Sequence, residues 1–290
     1  MPLPSPLRIL HTAAHPADTF DMVGGTLAHH IDRGDQVTVI SFTHGVRSHA
    51  LTTIERSKHG GNRDYEQFVP AAVGDKEQEV VDACGMLGIR DVRFLKLDDD
   101  LLLVKEEHVR AVARVIRDVR PHVLITHSPF EMAGISVAHR ACCEITLLAK
   151  GMANGLMHGE TSQPHHVPEV FFMWQHGETT LLDHVHGRFP MIIIDVTDVI
   201  ERKVKAMDCL RSQYYPGGLA RKVLEGLGAN HSVHSCVPYG EAFLRFYPDV
   251  QHYLPVCEHN LRIYSEPLEK TYARLGTMIA PFVPFQGQPR

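Results

Sequence analysis

LRILHTAAHPADTFDMVGGTLAHHIDRGDQVTVISFT, residues 7–43, holds a complete strand–helix–strand unit. LRILHTA (7–13) reads as a strand. MVGGTLAHHIDR (22–33) reads as a helix, closed by Gly34 where helix ends favour glycine. QVTVISFT (36–43) is rich in β-branched residues and reads as the next strand. A helix between two strands leaves them parallel, with a right-handed crossover. Both strands then end on one rim, and open α/β sheets bind their ligands outside that rim.

Outward from this unit the alternation continues. Residues 44–72 lack a clean period, carry Gly60 and Gly61, and read as a long functional loop over the rim. A helix is expected over 76–87, a strand over 91–97, and an amphipathic helix over 106–119 ahead of Pro121. HVLIT (122–126) is short and apolar, as a buried parallel strand should be. A helix over 137–150 and strands over 170–174 and 191–195 follow. Asp195 or Thr197 can cap a long helix running to Ser212. A YYPGG turn, a helix around 219–227 and the segment YGEAFLRFYP come next, and nothing beyond Pro267 gives a strong signal. The expected fold is α/β, with a Rossmann-like, mostly parallel sheet, helices on both faces and a C-terminal helical or irregular extension. Residues 1–200 would form the catalytic domain, with 201–290 packed on it.

Composition narrows the partners. The chain has 290 residues, 44% of them hydrophobic, and a net charge of −5. Without clustered Lys and Arg it is not expected to bind nucleic acid. No apolar run approaches the roughly 20 residues of a membrane span. MPLPSPLRIL lacks a signal peptide's apolar core, so a cytoplasmic location is expected. Six cysteines without CxxC spacing read as reduced thiols.

Most of the 21 histidines have ordinary surface or helix readings. Four differ: His15, His44, His127 and His176 each follow the end of an expected strand. His139 opens the helix after the fourth strand, on the same rim. Asp18 lies three residues past His15, and Pro16 stiffens the turn between them. Two imidazoles and one carboxylate with open positions suit catalytic Zn²⁺. They also suit Fe²⁺ or another divalent metal. Taken alone, H-x-x-D fits a simple capped turn equally well.

AAHPADTFDMVGGTLA resembles the opening motif of the PIG-L/LmbE-like zinc-dependent family, A-H-P-D-D-E followed by a Gly-Gly pair. The resemblance implies that His15 and Asp18 bind zinc. GISVAHRACCE is similar to the family's second motif, which implies His139 as third ligand. Two departures stand out. Ala17 replaces the aspartate that serves the family's deacetylases as general base, and Ser136 replaces the first histidine of the second motif. The 4-oxalomesaconate hydratase branch shares the A-H-x-A-D-F signature, and VFFMWQHGE and YGEAFLRFYP are similar to its later segments. That branch carries a glutamate after the second strand where THGVRSHA places Arg47.

This branch implies a zinc-dependent hydro-lyase acting on a small unsaturated keto- or polycarboxylic acid of aromatic catabolism. Hydration across a conjugated C=C bond needs a metal or cationic clamp and a proton carrier. His44, His127, His176 and Glu131 are the carrier candidates. Arg47, Arg211 and Arg245 could fork onto carboxylates, with Tyr239 beside them. The first alternative is a zinc-dependent N-deacetylase or amidase using a non-standard base such as His44 or Glu131. The second is a catalytically silent metal-binding protein. A hydratase pocket should be small, cationic and closed. A sugar deacetylase should show an open groove with hydroxyl-binding carboxylates and an aromatic platform. The expected partners are a small anionic substrate and further copies of the chain.

Overall fold

The computed structural model describes residues 4–60, 65–129, 137–173, 192–229 and 235–281. Seven strands form one sheet: β1 (Arg8–Ala13), β2 (Gln36–Thr43), β3 (Asp91–Leu97), β4 (Val123–His127), β5 (Glu169–Met173), β6 (Ile192–Asp195) and β7 (Gly240–Arg245). Their order is β3-β2-β1-β4-β5-β7-β6. The first five strands are mutually parallel, and β7 runs antiparallel between β5 and β6. The chain steps from β1 outward to β3, then returns to β4 on the other side. The switch point therefore lies between β1 and β4, where such folds open a crevice.

The helices in chain order are α1 (Asp18–Met22), α2 (Gly24–Asp32), α3 (Leu51–Gly60), α4 (Tyr65–Leu87), α5 (Glu106–Val119), α6 (Val137–Asn154), α7 (Ile200–Met207), α8 (Gly218–Ala229), α9 (Glu258–Ser265) and α10 (Leu268–Leu275). Side chains alternate across β1, so Ile9 and Leu10 enter different cores. On one face Ile9, Val37 and Val39 pack with Phe20, Leu27, Leu87 and Val204 of α1, α2, α4 and α7. On the other, Leu10, Ile40 and Leu124 pack with Val112, Ile116 and Ile145 of α5 and α6. Each such side chain contributes roughly 1.5–3 kcal/mol on full burial. Covering both faces explains why the central strands read as nearly continuous apolar runs.

Three sequence expectations are corrected. The helix read over 22–33 is two pieces broken at Val23, and the first begins at Asp18. Residues 44–72 are not one loop: they carry α3 and the start of α4, which begins eleven residues before Lys76. Pro70 inside α4 hid that start, because proline normally marks a boundary. The helix after β6 is a 3₁₀ turn followed by α7, and it stops at Met207, not Ser212. The segment GEAFLR, given no element from the sequence, is β7 and completes the sheet. His176, Glu131 and Ser136 lie outside the described residues. Among the described residues no helix is long and apolar enough to cross a membrane.

Candidate active site

The β1 strand ends at Ala13 and the chain turns at once. The Asp18 carboxylate accepts the His15 backbone N–H at 2.7 Å, and the Asp18 N–H donates to the His15 carbonyl at 3.3 Å. This closed turn aims both side chains at the crevice. His139 arrives from the first turn of α6, on the β4 side of the switch point. His15 Nδ1 lies 3.1 Å from His139 Nε2 and 3.7 Å from Asp18 Oδ2, and His139 Nε2 lies 3.5 Å from Asp18 Oδ1. All three residues are buried. Ligands on a tetrahedral zinc with 2.0–2.1 Å arms stand about 3.4 Å apart. The three lone-pair donors therefore match the spacing of a divalent cation's ligands.

His127 is fully buried behind this group. Its Nε2 stands 3.1 Å from both the Ala14 nitrogen and Asp18 Oδ2, and its ring stacks on His139 at 4.1 Å. It braces the aspartate and the third histidine, and it does not reach the surface. Burial alone would raise the Asp18 carboxyl. The facing charges of His139 and His127, with hydrogen bonds from both, hold it well below the usual range.

One turn along α1, Asp21 shares a face with Asp18, as residues three apart do. Its Oδ1 oxygen is buried and has no hydrogen-bond partner. Burial and the Asp18 charge push its carboxyl up to about 7, against the pull of Lys203, His139 and His127. Tyr215 faces the same pair: burial and the charges of Asp21 and Asp18 raise its phenol. Neither residue follows a strand in the sequence, so strand-end reasoning missed both.

A buried strut supports this arrangement. Lys203 Nζ donates to the Asp21 carbonyl at 2.8 Å and to Glu241 Oε1 at 2.6 Å. Glu241 in turn accepts the N–H groups of Gly25 and Thr26 at 2.8 and 2.7 Å, at the start of α2. A carboxylate there satisfies orphan donors and complements the helix dipole. A side chain on Gly25 would put its Cβ 2.6 Å from Val196, so the second glycine of the Gly-Gly pair is required by packing.

A second cluster follows β2. His44 Nδ1 lies 2.9 Å from Asp99 Oδ1, and its Nε2 lies 3.9 Å from Asp98. Asp99 also accepts the Arg47 and Ser48 N–H groups at 3.2 and 2.7 Å and the Ser48 hydroxyl at 2.5 Å. Arg47 bonds Asp98 at 2.8 Å and Glu66 at 2.7 Å. His49, which sequence reasoning passed over inside the loop, packs its ring against His15 at 4.2 Å between centroids, tilted by 40°. Burial and His15 push its imidazole down to about 4, so it is neutral at physiological pH.

The other expected substrate residues are engaged elsewhere. Arg245 pairs with Glu169 at 2.6 Å and Asp249 at 3.1 Å. Arg211 lies 3.6 Å from Asp82. Tyr239 is buried against Gly228 and donates to Glu225 at 2.9 Å. Arg47, Arg245 and Tyr239 are therefore parts of the scaffold, and no arginine clamp forms at the rim among the described residues. Instead, an open cleft of about 470 Å³ runs between α3, α4 and the 3₁₀ turn Arg211–Gln213. It begins at Ala50, next to His49, and is lined by Thr52, Thr53, Phe68, Asp75, Gln78 and Glu79, with Arg56 and Arg211 at its edges.

Comparison with known proteins adds an independent line. A 1D-myo-inositol 2-acetamido-2-deoxy-alpha-D-glucopyranoside deacetylase of Rhodococcus erythropolis is 26% identical over 240 residues, covering 71% of this chain and 81% of that protein. The deacetylase of the same description from Mycobacterium leprae is 31% identical over 139 residues, 42% of this chain and 43% of its own. Among solved structures, the 4-carboxy-2-hydroxymuconate hydratase of Pseudomonas putida KT2440 matches with a TM-score of 0.68 at 19% identity, covering 85% of this chain and 99% of that one. The N,N'-diacetylchitobiose deacetylase of Pyrococcus horikoshii matches with a TM-score of 0.63 at 18% identity, covering 82% and 83%. Such identities show the fold alone, which hydratase and deacetylase share. These sequence relatives are deacetylases, and they overturn the hydro-lyase expectation. Residues 10–150 match the PIG-L profile, described as GlcNAc-PI de-N-acetylase, and so form a domain of the PIG-L enzyme family, to which the HPAD turn pointed.

Proposed function

We propose that this protein is a zinc-dependent N-deacetylase acting on an N-acetylated amino sugar. The observation that carries this reading is the convergence of His15, Asp18 and His139 in a chain similar to amino-sugar deacetylases, with a separate polar cleft between α3 and α4 to receive a sugar. Thr52, Thr53, Gln78 and Asp75 offer hydrogen bonds suited to sugar hydroxyls, and Phe68 offers a ring face.

His15, Asp18 and His139 would hold the metal, which when bound supplies Lewis-acid polarisation of the amide carbonyl. The chain's own residues supply the proton transfers. Ala17 cannot act as a base, and His44 is committed to Asp99 and Asp98. Asp21 takes that role: its free carboxylate oxygen is held on the Asp18 face of α1, one turn beyond the vacated position. It accepts the proton of the attacking water and passes it to the departing amine. Tyr215 presents a neutral phenol donor to the acyl oxygen. His127 keeps Asp18 ionised and oriented, and neutral His49 packs against His15.

The test is direct. Protein loaded with one equivalent of Zn²⁺ is incubated with a panel of N-acetylglucosamine conjugates, and primary amine and acetate are measured. Equal release of both is expected. Metal-loaded, folded protein that releases neither from any member of the panel would overturn the proposal.

A further inference from the structure

The C-terminal arm, residues 246–281, departs from the rest of the molecule. It is held to the body at His259, which bonds the Ser235 carbonyl at 2.6 Å, and near its end at Ile279, whose N–H donates to Glu225 at 2.7 Å. Along its length the arm exposes apolar side chains. Tyr253, Leu254, Tyr264, Leu268, Tyr272 and Met278 are each between 69% and 93% exposed. Leu261 and Tyr264 lie three apart on α9, and Leu268 and Tyr272 lie four apart on α10. Each helix thus turns an apolar stripe outward. The α9 helix has eight residues and buries none of them. So short a helix is marginal in water and takes its stability from packing.

We propose that this arm is a self-association surface, and that its occupant is the same arm of a second copy of this chain. Area is the first argument. At roughly 150–200 Å² apiece, the six side chains present on the order of 1,000 Å². That exceeds the few hundred Å² of apolar patch that monomers tolerate. It also meets the ~800 Å² per partner of a standard interface.

Charge is the second argument. A two-fold interface lays a surface against itself, so like charges must not accumulate there. From Glu258 to Leu275 three acids (Glu258, Glu266, Glu269) offset three bases (Arg262, Lys270, Arg274), while the whole chain carries −5. Arg274 and Glu266 already pair at 2.5 Å. A lipid surface would call for an excess of Lys and Arg around the apolar stripe, which is absent here. Three tyrosines among the six exposed residues match the aromatic enrichment of protein interfaces.

Sedimentation equilibrium of the full chain over a hundredfold range of concentration tests this. The wild type should show a multiple of 32.5 kDa. The double variant Tyr264→Glu/Leu268→Glu should sediment at 32.5 kDa with an unchanged far-ultraviolet circular dichroism spectrum. A wild type that stays monomeric at the highest concentration overturns the proposal, as does a folded double variant that still associates. Should that variant fail to fold, hydrogen exchange on the wild type decides. Amides of 258–275 must gain protection as concentration rises, and protection gained only elsewhere rejects the arm as the interface.

Discussion

Two clusters on one rim have almost the same composition and opposite character. His15, Asp18 and His139 gather after β1, and His44, Asp98 and Asp99 gather beside them after β2 and β3. In the second, the protein brings its own cation: Arg47 bonds Asp98, and Asp99 takes two backbone N–H groups, a hydroxyl and His44. In the first, the donor atoms turn toward one another at 3.1–3.7 Å, with no arginine or lysine among them. Buried lone pairs facing each other are unfavourable unless something positive lies between them. The difference teaches that ligand-type residues within reach of one another do not define a metal site. What separates the two is that the second is closed by an arginine and by backbone N–H groups, whereas the donors of the first converge on one another.

The largest effect should come from breaking the first cluster alone. His15→Ala or His139→Ala should strip the metal and lower turnover at least about 10³-fold, the scale of losing a principal electrostatic element. His44→Ala should leave metal content at one per chain. Elemental analysis beside the amine-release assay checks both. A His44→Ala protein that loses its metal while His139→Ala keeps it would reverse the comparison.

Next comes the base. Asp21→Asn should lower kcat roughly 10²–10⁴-fold with metal content unchanged, since Asp21 lies on the same face but is not one of the three converging donors. Ala17→Asp on that background should recover part of the rate by placing a carboxylate one turn earlier. If Asp21→Asn leaves kcat within a few-fold of wild type, the proton is carried by another group.

How much of this was legible beforehand follows from the range of each signal. The parallel strands, the switch-point rim and the triad of His15, Asp18 and His139 rest on local patterns, namely β-branched runs, a glycine helix stop and a three-residue spacing. The strand β7 went unassigned because GEAFLR pairs with segments far along the chain, and no local pattern announces such pairing. Asp21 and Tyr215 were missed for a related reason. One sits mid-helix and the other in a turn, and only packing brings them to Asp18. Arg47 was placed correctly in the loop, but its carboxylate partners could not be read from the chain, so it passed for a substrate ligand.

Third in size is the second cluster's own contribution, which should be to stability. Asp99→Asn should cost roughly 1.5–3 kcal/mol, the range for hydrogen bonds to a charged group. It should leave metal content intact, as urea titration and elemental analysis would show.

The smallest effect concerns Lys76, the buried lysine that feels both Glu79 and the Asp99 charge. Its Nζ donates to Ser212 at 2.9 Å and to Gln213 at 2.5 Å. Burial pushes its pKa down to about 8, although Glu79 and Asp99 pull the other way. In the unfolded chain the lysine titrates near 10.4. The fold therefore binds this proton less tightly than the unfolded state does. Below the folded value the lysine is charged in both states and its burial weighs fully against stability. As pH rises from about 8 toward 10.4 the folded state releases the proton first, and that loss is progressively recovered. Wild type should accordingly gain on Lys76→Met by about 1.5 kcal/mol between pH 8 and 9.5. Paired urea titrations at the two pH values measure the difference. Parallel curves would mean that Glu79 and Asp99 hold the ammonium as well as water does. The second cluster would then carry spare negative charge, and its contrast with the first would weaken.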